Sequence, residues 1–135
     1  MNNQRPEELP SLVLAYIGDA VYELAIREFL IGQGLGKVNR LHKEAVRYVK
    51  AAAQAKALFA MEEKLTEEEL AVVRRGRNAK IASLPKNADF MDYRHATALE
   101  ALIGYLHLQG KQERVQIIVE LALAAIAKEQ QANER

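Results

Sequence analysis

Apolar residues recur at three- and four-residue intervals along most of the chain, which is the spacing of one face of an α-helix. Proline and clustered glycine residues separate these periodic segments. No stretch shows the sustained alternation of a half-buried β-strand. The pattern predicts an all-α protein built as a single bundle of five to seven helices. The predicted helices span residues 11–31, 39–64 (where the pattern also permits a break), 66–76, 89–110 and 112–128.

Composition limits the chain to one domain of ordinary size. It has 135 residues, of which 50% are hydrophobic and 27% charged, so it can form both a core and a polar surface. We expect one domain over residues 1–135, ordered from about residue 8 to about residue 128, with no second module. Cysteine is absent, which excludes disulfides, thiolate metal sites and cysteine nucleophiles.

The chain ends and the charge balance bear on location and partners. No apolar run reaches the roughly 18 residues of a membrane span, and the N-terminal MNNQRPEELP lacks a signal-peptide pattern. We therefore expect a cytoplasmic protein that does not associate with membranes. The net charge is only +1, so a surface for nucleic acid would have to be a local one.

The first predicted helix contains an acid where an acid is unexpected. The run LVLAYIGDAVYELAI, residues 12–26, is apolar nearly all the way round, and Asp19 lies in its middle. Such a helix is buried on every side or shared with a partner. Aspartate is a poor residue for a helix interior, and an unpaired buried carboxylate is costly. We therefore expect a partner that compensates the charge of Asp19.

Glu100 repeats this feature in the segment LEALIGYL, residues 99–106. At about 100° per residue, Glu100 shares a face with Thr97, Gly104 and His107. We expect Gly104, one turn later, to leave space beside the carboxylate. The predicted core stripe of this helix consists of Ala96, Leu99, Leu102, Ile103 and Leu106.

Two interpretations of these acids remain open from the residues alone. Each carboxylate can be neutralised separately, by an arginine or by solvent at the rim of the core. Alternatively, Asp19 and Glu100 together hold a divalent cation, Mg²⁺ or Mn²⁺, whose charge keeps both ionised. Such an ion can activate water for attack on a phosphodiester. Glu23 lies one turn after Asp19, where it either assists the site or faces solvent.

Two stretches of the chain are locally basic. From Lys37 to Lys56 the only acid is Glu44, and the basic residues are spaced to form one stripe along a helix. The run RRGRNAK, residues 74–80, holds four basic residues and a glycine that could bring its backbone close to a ligand. Either surface can be ordinary solvated charge, but together they favour a polyanionic partner. The predicted RNA contacts are Arg40, Lys43, Arg47, Lys50, Arg74, Arg75, Arg77 and Lys80.

Two acidic segments resemble those of a known family. YIGDAVYEL, residues 16–24, resembles the signature helix of ribonuclease III domains, and LEALIGYLHL, residues 99–108, resembles their second acidic helix. The resemblance covers nearly the whole chain. It is closest to the Mini-III branch, which has the nuclease domain without an appended domain for binding double-stranded RNA. The resemblance implies a ribonuclease III-like bundle that hydrolyses duplex RNA to 5′-phosphate and 3′-hydroxyl ends, in maturation of the large-subunit (23S) ribosomal RNA precursor.

The resemblance assigns the catalytic and metal-binding roles to Asp19 and Glu100. Two positions depart from the pattern of the larger enzymes. Ala15 stands where those enzymes have an acid four residues before the signature aspartate, and Thr97 stands where they have an aspartate. We therefore expect a thinner ligand shell, completed by water, Thr97 or Glu23, and the number of metal ions stays open.

The apolar first helix also predicts a homodimer. A core stripe of Val13, Ile17, Val21 and Leu24 would leave further apolar residues facing outwards. A second copy about a two-fold axis is the simplest cover for them. The residues expected to face the partner are Leu12, Ala15, Tyr16, Glu23 and Ile26.

Two other functions compete with a nuclease. A non-catalytic RNA-binding or ribosome-associated domain of the same fold would explain the basic surfaces, but it has no use for two costly acids. A helical protein–protein adaptor would leave the basic stripe unexplained.

Overall fold

Six α-helices and two single-turn 3-10 helices make up the part of the chain that the structure, a computed structural model, describes: residues 4–81 and 83–133. No strand occurs within those residues, so the all-α prediction is confirmed. The 3-10 turns are Pro6–Glu8 and Glu62–Lys64. The α-helices are α1 (Ser11–Gly32), α2 (Val38–Val49), α3 (Ala51–Met61), α4 (Glu67–Arg77), α5 (Phe90–Leu108) and α6 (Gln112–Asn133).

Helix α5 lies at the centre of the bundle. Every residue from His95 to Leu106 is buried except Glu100, which is half-buried. The predicted core stripe of α5 was therefore too narrow, because α1, α3, α4 and α6 all pack against this helix. A helix enclosed in this way has apolar residues on all faces, which accounts for the run LEALIGYL.

Local sequence signals set several helix ends. Thr66 and Glu69 form a capping box, with N–O distances of 3.1 and 2.9 Å. Asp89 caps α5 by accepting from the backbone N–H of Asp92. The permitted break in the second segment falls at Lys50, whose extended backbone (φ −62°, ψ 150°) separates α2 from α3.

The C-terminal prediction was partly wrong. Helix α6 runs to Asn133, five residues beyond the expected end at Lys128. The remainder of the tail that we expected to fray, residues 134 and 135, lies outside the described residues. None of the helices in the described ranges has the length and hydropathy needed to cross a membrane.

The buried face of α1 differs from the predicted one. Ala15 and Ile26, expected to face a partner, are in the core, whereas Val13 and Leu24, expected in the core, are exposed. A helix that is apolar all round gives no sequence signal for which face is buried, and the close contact with α5 decides it. The residues of α1 that are buried are Leu14, Ala15, Gly18, Tyr22, Ile26 and Leu30.

Candidate active site

Gly18 on α1 and Gly104 on α5 allow the two helices to touch backbone to backbone. A Cβ atom at position 18 would overlap the carbonyl oxygen of Glu100, and one at position 104 would overlap the carbonyl oxygen of Leu14. Only glycine permits so close an approach. Asp19 follows Gly18, and Glu100 lies one turn before Gly104, so the same contact brings the two acids together.

The prediction that Gly104 leaves space beside the Glu100 carboxylate was therefore wrong. This glycine does not leave space beside the Glu100 carboxylate, because the backbone of α1 occupies that space. Asp19 also differs from its predicted environment, since it is exposed in the single chain. It lies on the rim of the core, where its carboxylate keeps access to solvent and to ligands.

The Glu100 carboxyl is held between two polar neighbours. Its Oε2 accepts a hydrogen bond of 3.1 Å from Nε2 of Gln54 on α3. Asp19 is the second neighbour, and its carboxylate is close enough to raise the pKa of Glu100. Three helices thus contribute to the site: α1 supplies Asp19, α5 supplies Glu100 and α3 supplies Gln54.

The electrostatics of this cluster favour a cation. The pKa of Glu100 is raised to about 8: burial is the largest cause, the hydrogen bond from Gln54 opposes it, and repulsion from Asp19 and Glu23 adds to it. Near neutral pH the metal-free carboxyl therefore keeps its proton. A divalent cation next to Asp19 and Glu100 would displace that proton and neutralise the repulsion. The donor set, two adjacent carboxylates, fits the oxygen preference of Mg²⁺ or Mn²⁺.

The remaining positions add few protein ligands. No group of three or more histidine, aspartate or glutamate side chains is placed to hold one ion among the residues that the structure describes. Glu23 is half-buried and pairs with Arg27 at 3.7 Å. Thr97 is buried, and its hydroxyl donates to the carbonyl oxygen of Tyr93 in its own helix at 3.0 Å. Ala15 is in the core and offers no ligand.

The basic stripe on α2 is only partly as predicted. Arg40 and Lys43 are exposed, while Arg47 is half-buried and pairs with Glu44 at 3.3 Å. Lys50 is exposed but lies at the break after α2, so it does not continue the stripe along one helix. On the other side of α2, the partly buried Leu41, Ala45 and Val49 pack against the core.

The second basic stretch surrounds the C-terminal end of α4. Arg74, Arg75 and Lys80 are exposed, and Arg77 is half-buried. The prediction that Gly76 could bring its backbone close to a ligand was wrong. Gly76 is buried against α5, where a Cβ atom would lie 2.9 Å from the Cα of Ala98.

Arg94 is a further basic residue of this region, one that was not predicted from the sequence. Its Nε donates to the carbonyl oxygen of Arg77 at 2.6 Å, and its Nη2 donates to Oδ1 of Asn78 at 3.1 Å. Its guanidinium also lies 5.3 Å from the centre of the Phe90 ring. Arg94 thus fastens the end of the basic stretch to α5. Its sequence signal was weak, because a single arginine in the first turns of a helix is common.

Comparison with known proteins supports the family resemblance seen in the two acidic segments. A model of the ribonuclease III domain matches residues 12–111. A Brevibacillus brevis protein named Mini-ribonuclease 3 is 59% identical over 115 residues, which cover 85% of this chain and 86% of that protein. A Symbiobacterium thermophilum protein of the same name is 49% identical over 122 residues, covering 90% and 94%. A crystal structure of a Fusobacterium nucleatum protein matches with a TM-score of 0.77 and 31% identity, covering 87% and 93%. The chain therefore belongs to the ribonuclease III family and is an endoribonuclease.

Proposed function

We propose that this endoribonuclease cleaves double-stranded RNA with a divalent cation, Mg²⁺ or Mn²⁺, held by Asp19 and Glu100. One observation carries the proposal. Two glycines bring the carboxyl groups of Asp19 and Glu100 together at a helix crossing, where burial and the nearby Asp19 raise the pKa of Glu100 to about 8. A divalent cation would allow both carboxyl groups to ionise, and a strongly shifted pKa of this kind is typical of a functional site.

The residues divide the chemical work in a simple way. Asp19 and Glu100 would hold the ion, which when bound would supply an activated water molecule and stabilise the leaving oxygen of the phosphodiester. Asp19, being exposed, faces the RNA side of the site, while the half-buried Glu100 is fixed by its neighbours. Hydrolysis with the 3′ oxygen as the leaving group yields a 5′-phosphate and a 3′-hydroxyl.

Contact with the RNA backbone is assigned to the two basic surfaces. Arg40, Lys43 and Lys50 around α2, and Arg74, Arg75 and Lys80 around the end of α4, are exposed and free to reach phosphates. Arg47 and Arg77 are half-buried and contribute at the edges. Phosphate contacts of this kind read the shape of a duplex and not its sequence.

A homodimer is the assembly that the exposed face of α1 supports. Leu12 and Val13 are each 46% exposed, Leu24 is 60% exposed and Tyr16 is 84% exposed. An apolar face of this size on a small domain is characteristic of an interface. Because Asp19 follows Tyr16 by three residues, a second copy packed on this face would place two sites along one groove. Each site would then cut one strand of the duplex.

The natural substrate in this proposal is the precursor of the large-subunit (23S) ribosomal RNA, and the location is the cytoplasm. The support is the resemblance to the Mini-III branch and the name Mini-ribonuclease 3 carried by relatives that match most of the chain. Replacing the natural copy by a Glu100→Gln variant should cause the precursor to accumulate. Normal maturation in such cells would reject this substrate.

A cleavage assay separates the proposal from the RNA-binding alternative. Long duplex RNA is incubated with the protein in Mg²⁺ and in a chelator, and binding is measured in parallel. We expect cleavage in the sample with Mg²⁺ and no cleavage in the sample with the chelator. Binding without cleavage under either condition would favour a non-catalytic domain.

A further inference from the structure

Gln54 is a deeply buried polar neighbour of Glu100. It lies on α3, in a run of alanines, and is only 2% exposed. Both hydrogens of its amide are used: Nε2 donates to the carbonyl oxygen of Val49 at 2.9 Å and to Oε2 of Glu100 at 3.1 Å. Because both partners are acceptors, the orientation of the amide is determined.

The first of these bonds gives the side chain a rigid anchor. Val49 is the last residue of α2, and the extended backbone at Lys50 interrupts the helical hydrogen bonds there. The Gln54 amide satisfies the carbonyl of Val49 that the break would otherwise leave unpaired. The donor that faces Glu100 is therefore fixed by the backbone of another helix.

The second bond fixes one oxygen of the carboxylate without neutralising it. An arginine or lysine at position 54 would stabilise the ionised Glu100 but would compete with a cation for its charge. A neutral amide orients the carboxylate and leaves the negative charge available. The Oε1 of Gln54 is buried and has no hydrogen-bond partner among the described residues, so this side chain has one acceptor left beside the site.

We propose that Gln54 is a positioning residue of the nuclease, which holds the Glu100 carboxylate in the orientation that binds the divalent cation. The proposal rests on the function proposed above, namely that Asp19 and Glu100 hold that cation. Partners that orient a ligand in this way commonly change metal affinity by about 10- to 100-fold when they are removed.

The test measures metal binding directly as well as cleavage. Mn²⁺ affinity is determined by titration calorimetry for the full chain, and the Mg²⁺ concentration for half-maximal cleavage is measured alongside. Gln54→Met removes both donors at similar length. Tyr22→Phe is the matched control, because the Tyr22 hydroxyl is buried and donates to the carbonyl oxygen of Tyr48, at the same end of α2, at 2.9 Å.

The expected result separates positioning from structural support. Gln54→Met should weaken Mn²⁺ binding about 10-fold or more and raise the Mg²⁺ requirement similarly, while RNA affinity stays within about 2-fold. Tyr22→Phe should change metal affinity by less than about 2-fold. In a Glu100→Gln background, Gln54→Met should have no further effect on Mn²⁺ affinity, as a double-mutant cycle requires for two residues that act through one hydrogen bond.

Three outcomes would overturn the inference. They are an unchanged Mn²⁺ affinity in a folded Gln54→Met variant, an equal weakening in Tyr22→Phe, and an undiminished weakening in the Glu100→Gln background. If wild-type protein itself binds no Mn²⁺, the proposed function fails first and the inference with it. If Gln54→Met does not fold, the side-chain amide signal of Gln54 is followed by NMR in wild type and in Glu100→Ala. The signal should shift when the acceptor is removed, and an unmoved signal would refute the hydrogen bond.

Discussion

At the scale of single residues, the acid pair makes the metal-free protein sensitive to pH. The pKa of Glu100 is raised from 4.5 to about 8, with burial as the largest cause and Asp19 as a further one. The folded protein therefore binds this proton more tightly than the unfolded chain does. The contribution of this proton to the stability of the folded protein is fully present below pH 4.5 and is lost as pH rises through about 8.

We predict that in a chelator the free energy of unfolding falls between pH 4.5 and about pH 8. Glu100→Gln has no carboxyl to titrate at this position, so the fall in unfolding free energy should disappear in this variant. Above pH 8 the variant should be more stable than wild type by roughly a few kcal/mol. Denaturant unfolding at a series of pH values measures both. A variant that keeps the full pH dependence of wild type would contradict this role of Glu100.

The sequence identified some site residues and missed others for physical reasons. Asp19 and Glu100 stand out because a carboxylate is costly in an apolar helix. Gln54 carries no charge and contacts Glu100 across 46 positions of sequence, so no local spacing points to it. Its one signal was a single amide in the run AAAQAKA, residues 51–57. The exposure of Asp19 could not be predicted, because it depends on which face of α1 meets α5.

At the scale of helices, the crossing of α1 and α5 determines where the acids lie. Gly18→Ala and Gly104→Ala would each place a methyl group on the backbone of the other helix. We predict a decrease of about 1–3 kcal/mol or more in unfolding free energy, as expected for overpacking, together with a loss of cleavage as the helices separate.

Gly32→Ala is the matched control for these two variants. Gly32 ends α1, and nothing lies within 4 Å of a Cβ atom placed there. The unfolding free energy of Gly32→Ala should be unchanged or higher by up to about 1 kcal/mol, since alanine is the better helix former. Thermal unfolding in parallel compares all three. Equal stability of Gly18→Ala and Gly32→Ala would argue against the backbone contact.

The basic end of α4 should act on binding and not on chemistry. Neutralising Arg74, Arg75 and Arg77 together should raise the apparent dissociation constant for duplex RNA more than it lowers turnover. The slope of log affinity against log salt should decrease by about 1 for each phosphate that the variant no longer neutralises. Arg5→Gln serves as the control, because this exposed arginine pairs with Glu8 at 3.1 Å in the N-terminal turn. A salt slope unchanged by the triple substitution would remove this surface from the interface.

At the scale of the whole molecule, the exposed face of α1 should assemble two copies. Tyr16→Glu places a charge on the most exposed apolar residue of that face. We predict that the dissociation constant of the dimer rises on the order of 30-fold or more, as for a central interface residue. Light scattering over a dilution series measures this shift.

Ile117→Glu is the control for assembly. Ile117 on α6 is 43% exposed, and a charge there should leave the oligomeric state unchanged. Mixing wild type with Glu100→Gln should give heterodimers that nick one strand of a duplex. An active monomer at working concentrations would contradict the two-site arrangement.

The overall fold was more predictable than its packing. Helical periodicity and the glycines around residue 34 located the helices, because these signals are local. The central position of α5 and the buried face of α1 arise from contacts between distant segments. A helix that is apolar all round contains no pattern from which to predict its partners.

The central claim is that Asp19 and Glu100 form a metal-dependent active site. Its most direct test is the cleavage of long duplex RNA by wild type, Asp19→Asn and Glu100→Gln, each in Mg²⁺ and in a chelator. RNA binding and thermal unfolding of the same samples verify that the variants are folded. We predict product only for wild type in Mg²⁺, with all three proteins folded and able to bind RNA. Near-normal turnover by either variant, or cleavage by wild type in the chelator, would contradict the claim.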